Sequence, residues 1–412
     1  MERFLLNIDI LYKNFKVYLS CFEDLFKKKG IKTIIFYKEI SSLVKKLEDR
    51  DFIKFRKYTD FDDLKEQILN FSKEEIFYIN TFDEKLVLLT NELKKLLNLP
   101  FTEKYEIFRN KDLQRKYLLE SFPETTVNFQ KIDFNKNEKL WIDFPCIIKP
   151  TSSAQSSWVT FLQNIWDFEN FKKNISSLNK NLEARGFFKN DFIVEEFIDG
   201  EIFTLSYFVN DFWEYFLFPI VKVKSVQDLW IDDFSNYVRI IYKWLDLELN
   251  EEKLDIFIKK HIKIFWIKNT FVFHDMKKTN SWEFKTIEVN GRIGWYRLEM
   301  YKETFGVNML SFIDKVGHLN IKENIFFATF AFYPYKEAIF KWLDKSLEQE
   351  FKKMKSFFSF KIISWKEWKK AWFTKNWFSA LANLKLKTES ETDFWRDFDF
   401  VEKNYKNFLL LE

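Results

Sequence analysis

The sequence predicts three structural parts: a parallel α/β domain, a larger α+β domain and a small C-terminal α+β appendage. Three observations lead there. Over the first hundred residues, short apolar runs alternate with charged amphipathic stretches, the pattern of a parallel sheet with helical crossovers. From Trp141 to about Tyr215, strand-like runs and loops alternate around one helical stretch, and Phe271–Met276 and Phe284–Asn290 read as an antiparallel strand pair. Past about residue 320 one helix and several short strands remain, and 412 residues suffice for two or three ordinary domains.

Taken in order, Phe15–Leu19 and Ile31–Phe36 read as strands, Ser41–Asp49 and Asp62–Phe71 as helices, and Ile76–Ile79 as a strand. Thr81–Leu97 has a helical pattern that stops before Pro100. This region has no G-x-G-x-x-G, so no dinucleotide site is assigned to it. Asn110–Ser121 reads as a helix ending before Pro123, Trp166–Leu178 as the helix of the central segment, and Leu247–Ile264 and Tyr335–Phe351 as further helices. No internal repeat, low-complexity tract or long linker separates the parts, which are expected to pack closely.

Composition excludes several classes. With 66 basic and 62 acidic side chains the net charge is +4, which is no electrostatic footprint for nucleic acid. Cys21 and Cys146 are too few and too far apart for a disulfide framework or a metal cluster, and Cys146 in its apolar run reads as a small buried hydrophobe. The start Met1-Glu2-Arg3-Phe4 leads into no apolar signal region. The most apolar run, Ile325–Tyr335, is shorter than the roughly 20 residues a bilayer requires. A soluble, cytoplasmic protein with no membrane partner is expected.

Two counts are abnormal: 7 glycines and 15 tryptophans, where average glycine usage is about 7%. Several tryptophans stand where turn glycines are expected. Trp158 closes a serine-rich loop, Trp213 follows Asn210-Asp211-Phe212, Trp282 lies in a polar run, and Trp295 follows Gly294. The segment Ser364–Trp372 also reads as a glycine-rich turn region rather than packed structure. Such a pattern arises when UGA codons that the host reads as glycine are translated as tryptophan. The abundance of Phe, Lys, Asn and Ile fits an AT-rich genome.

The most informative stretch is Thr286-Ile287-Glu288-Val289-Asn290-Gly291-Arg292-Ile293-Gly294. On a strand, Glu288 and Asn290 share a face. Two oxygen donors on rigid backbone followed by an arginine suit a Mg2+ that carries nucleotide phosphates. Upstream lie Phe108-Arg109-Asn110-Lys111-Asp112, Phe144-Pro145-Cys146-Ile147-Ile148-Lys149-Pro150, the loop Thr151-Ser152-Ser153-Ala154-Gln155-Ser156-Ser157, and Phe192-Ile193-Val194-Glu195-Glu196-Phe197-Ile198-Asp199-Gly200.

Together and in this order, these segments resemble the ATP-grasp superfamily over roughly residues 100–310. The resemblance implies a Rossmann-like pre-ATP-grasp domain over residues 1–100 and an ATP-grasp domain over 101–320, with its lid at about 141–215. The appendage at 321–412 is similar, more weakly, to that of amino-acid ligases and biotin carboxylase-like enzymes. The cofactors implied are ATP and Mg2+, with Mn2+ as an alternative ion.

The resemblance also distributes roles. Lys111 and Lys149 match the lysines that contact ATP phosphates. Ser152, Ser153, Ser156, Ser157 and the closing Trp158 match the phosphate-covering loop, where the family has glycine in place of Trp158. Glu195, Glu196, Phe197 and Ile198 match the hinge and adenine slot. The ribose carboxylate normally sits two residues after the hinge glycine. Here that position is Ile202, and Glu201 is the nearest candidate. Asp275, Glu288 and Asn290 match the metal ligands, with aspartate at 275 where glutamate is common. Arg292 matches the arginine for γ-phosphate and substrate carboxylate, and Arg297 and Arg239 are candidates for substrate. His274 reads as a packed histidine rather than a base.

The expected reaction is ligation of a small-molecule carboxylate to an amine through an acyl-phosphate, with release of ADP and phosphate, in an enzyme expected to be homodimeric. Two alternatives stand beside it: a carboxylase-type enzyme with bicarbonate as the acid, and an ATP-binding module without turnover.

Overall fold

The computed structural model describes residues 2–8, 15–38, 49–136, 138–152, 158–183, 191–231, 233–242, 249–294, 296–319, 324–363, 369–371 and 380–412. The first sheet contains β1 (Arg3–Ile8), β2 (Ile31–Tyr37), β3 (Ile53–Lys57) and β4 (Ile76–Thr81), in the order β3-β2-β1-β4 with every pair parallel. Parallel neighbours need crossovers, supplied here by helices that include α1 (Phe15–Lys29) and α2 (Phe61–Leu69), and α3 (Val87–Leu96) follows the last strand.

The expected strand at Phe15–Leu19 is therefore wrong: it is the first turn and a half of α1. The run Val17-Tyr18-Leu19 is apolar enough for a strand, but the pattern continues through Tyr18, Cys21, Phe22 and Leu25 at helical spacing, with the last three buried. The true first strand, β1, was not singled out. Of the helix expected at Ser41–Asp49, residues 41–48 lie outside the described residues. The helix expected over Thr81–Leu97 is shorter, because Thr81 ends β4 and α3 starts at Val87.

α4 (Lys111–Ser121) leads into a second sheet, ordered β5-β8-β6-β7 and wholly antiparallel. Its strands are β5 (Phe129–Asp133), β6 (Cys146–Pro150), β7 (Thr160–Leu162) and β8 (Asp191–Glu196). The single helix expected over Trp166–Leu178 is two, α5 (Ile165–Lys173) and α6 (Ile175–Glu183), with Asn174 as the cap that ends the first. This sheet and α5 enclose their own core of Ile148, Leu162, Phe168, Phe192 and Trp158.

The largest sheet has ten strands. β9 (Glu201–Val209), β10 (Tyr215–Leu217), β11 (Val221–Ser225), β12 (Asn236–Tyr242), β13 (Thr270–Lys278) and β14 (Phe284–Asn290) come from the centre of the chain, with α7 (Glu251–Ile264) and α8 (Arg297–Phe305) between and after them. β15 (Gly317–His318) pairs with β10. β16 (Phe326–Phe332), β18 (Phe357–Ile362) and β20 (Ala382–Thr388) continue the sheet in the order β14-β13-β9-β11-β12-β16-β20-β18. β12 pairs directly with β16, so the sheet runs unbroken into the C-terminal residues.

A helix was expected over Tyr335–Phe351. Instead β17 (Ala338–Leu343) occupies its first half, pairing with β21 (Leu409–Leu411) and β19 (Lys369–Ala371), and α9 (Lys345–Lys353) occupies the second. Asp344 divides them, since its carboxylate accepts a hydrogen bond from the Leu347 amide at 2.9 Å and so marks a helix start. α10 (Glu391–Lys403) covers the end of the sheet with Phe394 and Phe398.

The cores do not follow the sheets one to one. Tyr78 on β4 packs edge-on against Phe208 and Phe271 of the large sheet, with centroids 5.8 and 6.0 Å away. The first sheet and the central one therefore share a single apolar cluster. The second sheet joins the large one at Gly200. This residue has φ +136°, and a Cβ there would lie 2.3 Å from the Lys278 carbonyl oxygen. Only glycine satisfies both conditions. Gly200→Ala is expected to lower stability by about 1–3 kcal/mol through overpacking and backbone strain, read as a fall in the urea midpoint.

Candidate active site

The candidate site lies where α4, β6, β8 and β14 converge. Asn110 caps α4, its side-chain oxygen accepting from the Leu113 amide at 3.3 Å. The Lys111 amide donates to the Thr151 carbonyl at 3.0 Å, tying the helix start to the end of β6. Lys111 is buried, and its ammonium lies 2.8 Å from Glu288 Oε1 on β14. Two residues predicted from separate motifs are thus an ion pair.

A second buried cluster stands beside it. Lys149 Nζ is 2.7 Å from Glu195 Oε2, and Arg115 Nε is 2.9 Å from Glu195 Oε1. A second arm of Arg115 donates to Glu195 Oε2 at 3.2 Å and to the Ile287 carbonyl at 2.8 Å. Burial would raise the Glu195 pKa, but the charges and hydrogen bonds of Arg115 and Lys149 overcome it and hold the carboxyl at about 2. Burial lowers the Lys149 pKa against the opposing pull of Glu195. Glu195, expected at the nucleotide hinge, thus directs its carboxylate at Lys149. Glu196 points to the other side of β8 and accepts from Asn128 Nδ2 at 2.7 Å.

Arg115 and Gln114 escaped the sequence reading. Gln114 clamps β14: its amide donates to the Ile107 and Val289 carbonyls at 2.7 and 2.8 Å, and its oxygen accepts from the Val289 amide at 3.1 Å. Both sit in the charged run Lys111-Asp112-Leu113-Gln114-Arg115-Lys116, which looks like a solvated helix face. The usable signal was spacing, since Arg115 is i+4 from Lys111 and shares its face.

Asp275 and Glu288 are direct cross-strand partners in the β13–β14 pair. Asp275 Oδ1 accepts from Thr204 Oγ1 at 2.6 Å. Burial, aided by the Glu288 charge and opposed by Thr204, raises Asp275 to about 6. Asn290 shares the Glu288 face, and its side-chain oxygen is buried without a hydrogen-bond donor. Among the described residues, no three His, Cys, Asp or Glu side chains gather as a metal site. The candidate set is two carboxylates and one amide. That suits Mg2+, which keeps several waters and takes phosphate oxygens as ligands, and the orphaned Asn290 oxygen fits the same ion.

The remaining predicted residues are spread around this centre. Ser152 is buried and accepts from Arg109 Nη2 at 3.0 Å, while Ser153, Ser156 and Ser157 lie outside the described residues. Trp158 is buried with φ +58°. Phe197 packs on Phe161, with ring centroids 4.9 Å apart, and the Ile198 carbonyl accepts from Lys277 Nζ at 2.5 Å. Glu201 is held by Lys222 at 2.5 Å and Lys278 at 3.0 Å.

Arg292 makes a buried pair with Glu84 of the first domain at 2.7 Å and donates to the Ile293 carbonyl at 3.1 Å. Glu84 had no distinguishing mark in the sequence. Arg297 is fully buried over the Phe273 ring, and burial lowers it to about 10. Arg239 lies over the Tyr296 ring at 5.3 Å. His274 packs in the buried layer with His261 and Phe257, and burial keeps it neutral, well below the usual histidine range.

The Glu195 cluster has a pH signature. Its folded pKa is depressed, so its stabilisation is complete above the unfolded carboxyl value and is lost as pH falls towards about 2. Glu195→Gln is expected to flatten the fall in stability between about pH 5 and pH 2 relative to the parent. Arg115→Ala, which leaves the buried Glu195 carboxylate with Lys149 as its remaining cation and frees the Ile287 carbonyl, is expected to cost about 3 kcal/mol at pH 7. Chemical denaturation across pH measures both.

Comparison with known proteins bears on the domain and the fold. The family model of the ATP-grasp domain matches residues 142–297. The D-alanine--D-alanine ligase of Campylobacter jejuni is 29% identical over 161 residues, which are 38% of this chain and 43% of that protein. The match thus spans less than half the length of this curated relative. The solved L-amino acid ligase from Bacillus licheniformis superposes with a TM-score of 0.71 at 17% identity, over 100% of this chain and 98% of that one. The N5-carboxyaminoimidazole synthetase from Staphylococcus aureus complexed with ADP gives 0.65 at 11% identity, over 97% of each chain. At these identities the solved structures establish the fold. Residues 142–297 thus match the ATP-grasp domain, and the chain as a whole has the fold of these solved structures.

Proposed function

We propose that the protein is an ATP-dependent carboxylate–amine ligase that works through an acyl-phosphate. The observation that carries this reading is the convergence of Lys111, Lys149, Asp275, Glu288 and the orphaned Asn290 oxygen on one buried locus. Lysines and acidic oxygens in one place are what a nucleotide triphosphate with its counter-ion requires.

Lys149 and Lys111 would hold the α- and β-phosphates as point charges. Asp275, Glu288 and Asn290 would hold Mg2+, which supplies charge neutralisation at the β- and γ-phosphates. Phe197 and Ile198 would line the adenine slot, with Glu196 and Glu201 at its rim. Arg292 and Arg297 would face the reacting groups, and a planar guanidinium suits both carboxylate and phosphate.

The substrate carboxylate oxygen attacks the γ-phosphorus and ADP leaves with the bridging electrons. The amine then attacks the acyl carbon, expels phosphate and loses a proton, leaving an amide. Enclosure beneath the second sheet keeps water from the acyl-phosphate. No described helix is long and apolar enough to cross a membrane, and we place the enzyme in the cytoplasm, where ATP is supplied.

Incubation with ATP, Mg2+ and pooled amino acids should release phosphate above the ATP-only rate. Release with bicarbonate instead would mark the carboxylase reading, and release with neither would leave a nucleotide-binding module. Glu288→Gln should cut turnover by about 100-fold or more, the scale for losing one electrostatic contact to the transition state, with an unchanged circular dichroism spectrum. Lys149→Ala should weaken ATP binding more than adenosine binding in calorimetry. Equal losses would show that the lysine serves only Glu195.

A further inference from the structure

Nine tryptophans fall among the described residues, and their backbones divide them sharply. Trp158, Trp213, Trp230, Trp266 and Trp282 have φ between 53° and 63°, the left-handed region. Trp141, Trp166, Trp342 and Trp395 do not. Only nine non-glycine residues in the described structure have positive φ; three are Asn or Asp, which tolerate it, and five are Trp.

Each exposed member of the five sits at a position whose hydrogen bonds define a glycine slot. After α7, the Trp266 amide donates to the Lys263 carbonyl and the Ile267 amide to the Ile262 carbonyl, the two-bond closure whose left-handed residue is usually glycine. Trp230 repeats this after the single turn Val226–Leu229, its amide reaching Gln227 and the Ile231 amide reaching Val226. Trp213 and Trp282 are each the third residue of a three-residue hairpin loop, closed by Asn210 to Glu214 and by Thr279 to Glu283. That position calls for a left-handed residue, preferably glycine. Their indoles lie at the surface, where Trp213 and Trp266 meet edge-on and Lys268 and Lys278 stand over Trp213 and Trp282; Trp230 is 95% exposed and Trp282 57%. Trp395 contrasts with them, lying on α10 and packed against Tyr242, Phe394 and Phe398.

We infer that positions 158, 213, 230, 266 and 282 are glycine in the protein its own host makes, each encoded by UGA, whereas 395 is a true tryptophan. The sequence pattern raised this for 158, 213 and 282; the backbone adds 230 and 266, and 295 and 364–372 fall largely outside the described residues.

Sequencing the gene should show UGA at all five positions and UGG at 395. Peptide mass spectrometry on protein from the source organism should show glycine at the five and tryptophan at 395. UGG codons or tryptophan masses at the five positions overturn the inference. A recombinant chain with Trp→Gly changes at the four exposed positions 213, 230, 266 and 282 should melt higher than the chain as written, whereas Trp395→Gly should melt lower. A lower midpoint for the four-fold variant overturns the backbone assignment.

Discussion

The buried carboxylate of Glu195 is the interaction on which the site depends. It is the shared anion of two cations from different elements, Lys149 on β6 and Arg115 on α4. Arg115 in turn grips the β14 backbone at Ile287. One carboxylate therefore fixes the helix, the second sheet and the edge of the large sheet to one another. Without it, two cations would remain in a low-dielectric interior, which proteins rarely tolerate. Because Glu195 grips it, Lys149 is held in one position, and under the proposed function less ordering is left for phosphate binding to bring about.

The second carboxylate region is built on the opposite principle. Asp275 and Glu288 face each other across β13 and β14, and a buried amide oxygen beside them has no donor. Burial pushes Asp275 up to about 6, and the Thr204 hydrogen bond offsets it only in part. A carboxylate gripped by two cations and an amide oxygen without a donor thus lie side by side. The first reads as scaffold for the lysines and the second as a place that a cation would complete.

Much of the site was legible because its residues carry chemistry in fixed local order: Lys149 ends a strand before Pro150, and Glu288 and Asn290 share a face. What the sequence concealed were partners that act across long separations. Arg115 and Gln114 look like solvated helix residues until β14 packs on them, and Glu84 looks like one more charge in a helical run until Arg292 reaches it. The fold errors have a related cause. A three-residue apolar run fits a strand or a helix, and only the pairing of β1 with β2 decides that Phe15–Leu19 must belong to the crossover. Likewise Ala338–Leu343 becomes a strand because β21, some seventy residues later, pairs with it. The misplaced indoles, by contrast, were partly visible in composition, because a shortage of glycine and a surplus of tryptophan are properties of the whole chain.

The Arg292–Glu84 pair joins the strand that carries the acidic residues to the first domain. Under the proposed function, the arginine that should greet the γ-phosphate is already claimed by a carboxylate from the turn after β4. An incoming phosphate and Glu84 must then share or contest the same guanidinium. The first domain, which contributes no nucleotide contact of its own in this reading, would sense through that exchange whether the triphosphate has arrived. Nucleotide occupancy would be written into the fit between two domains.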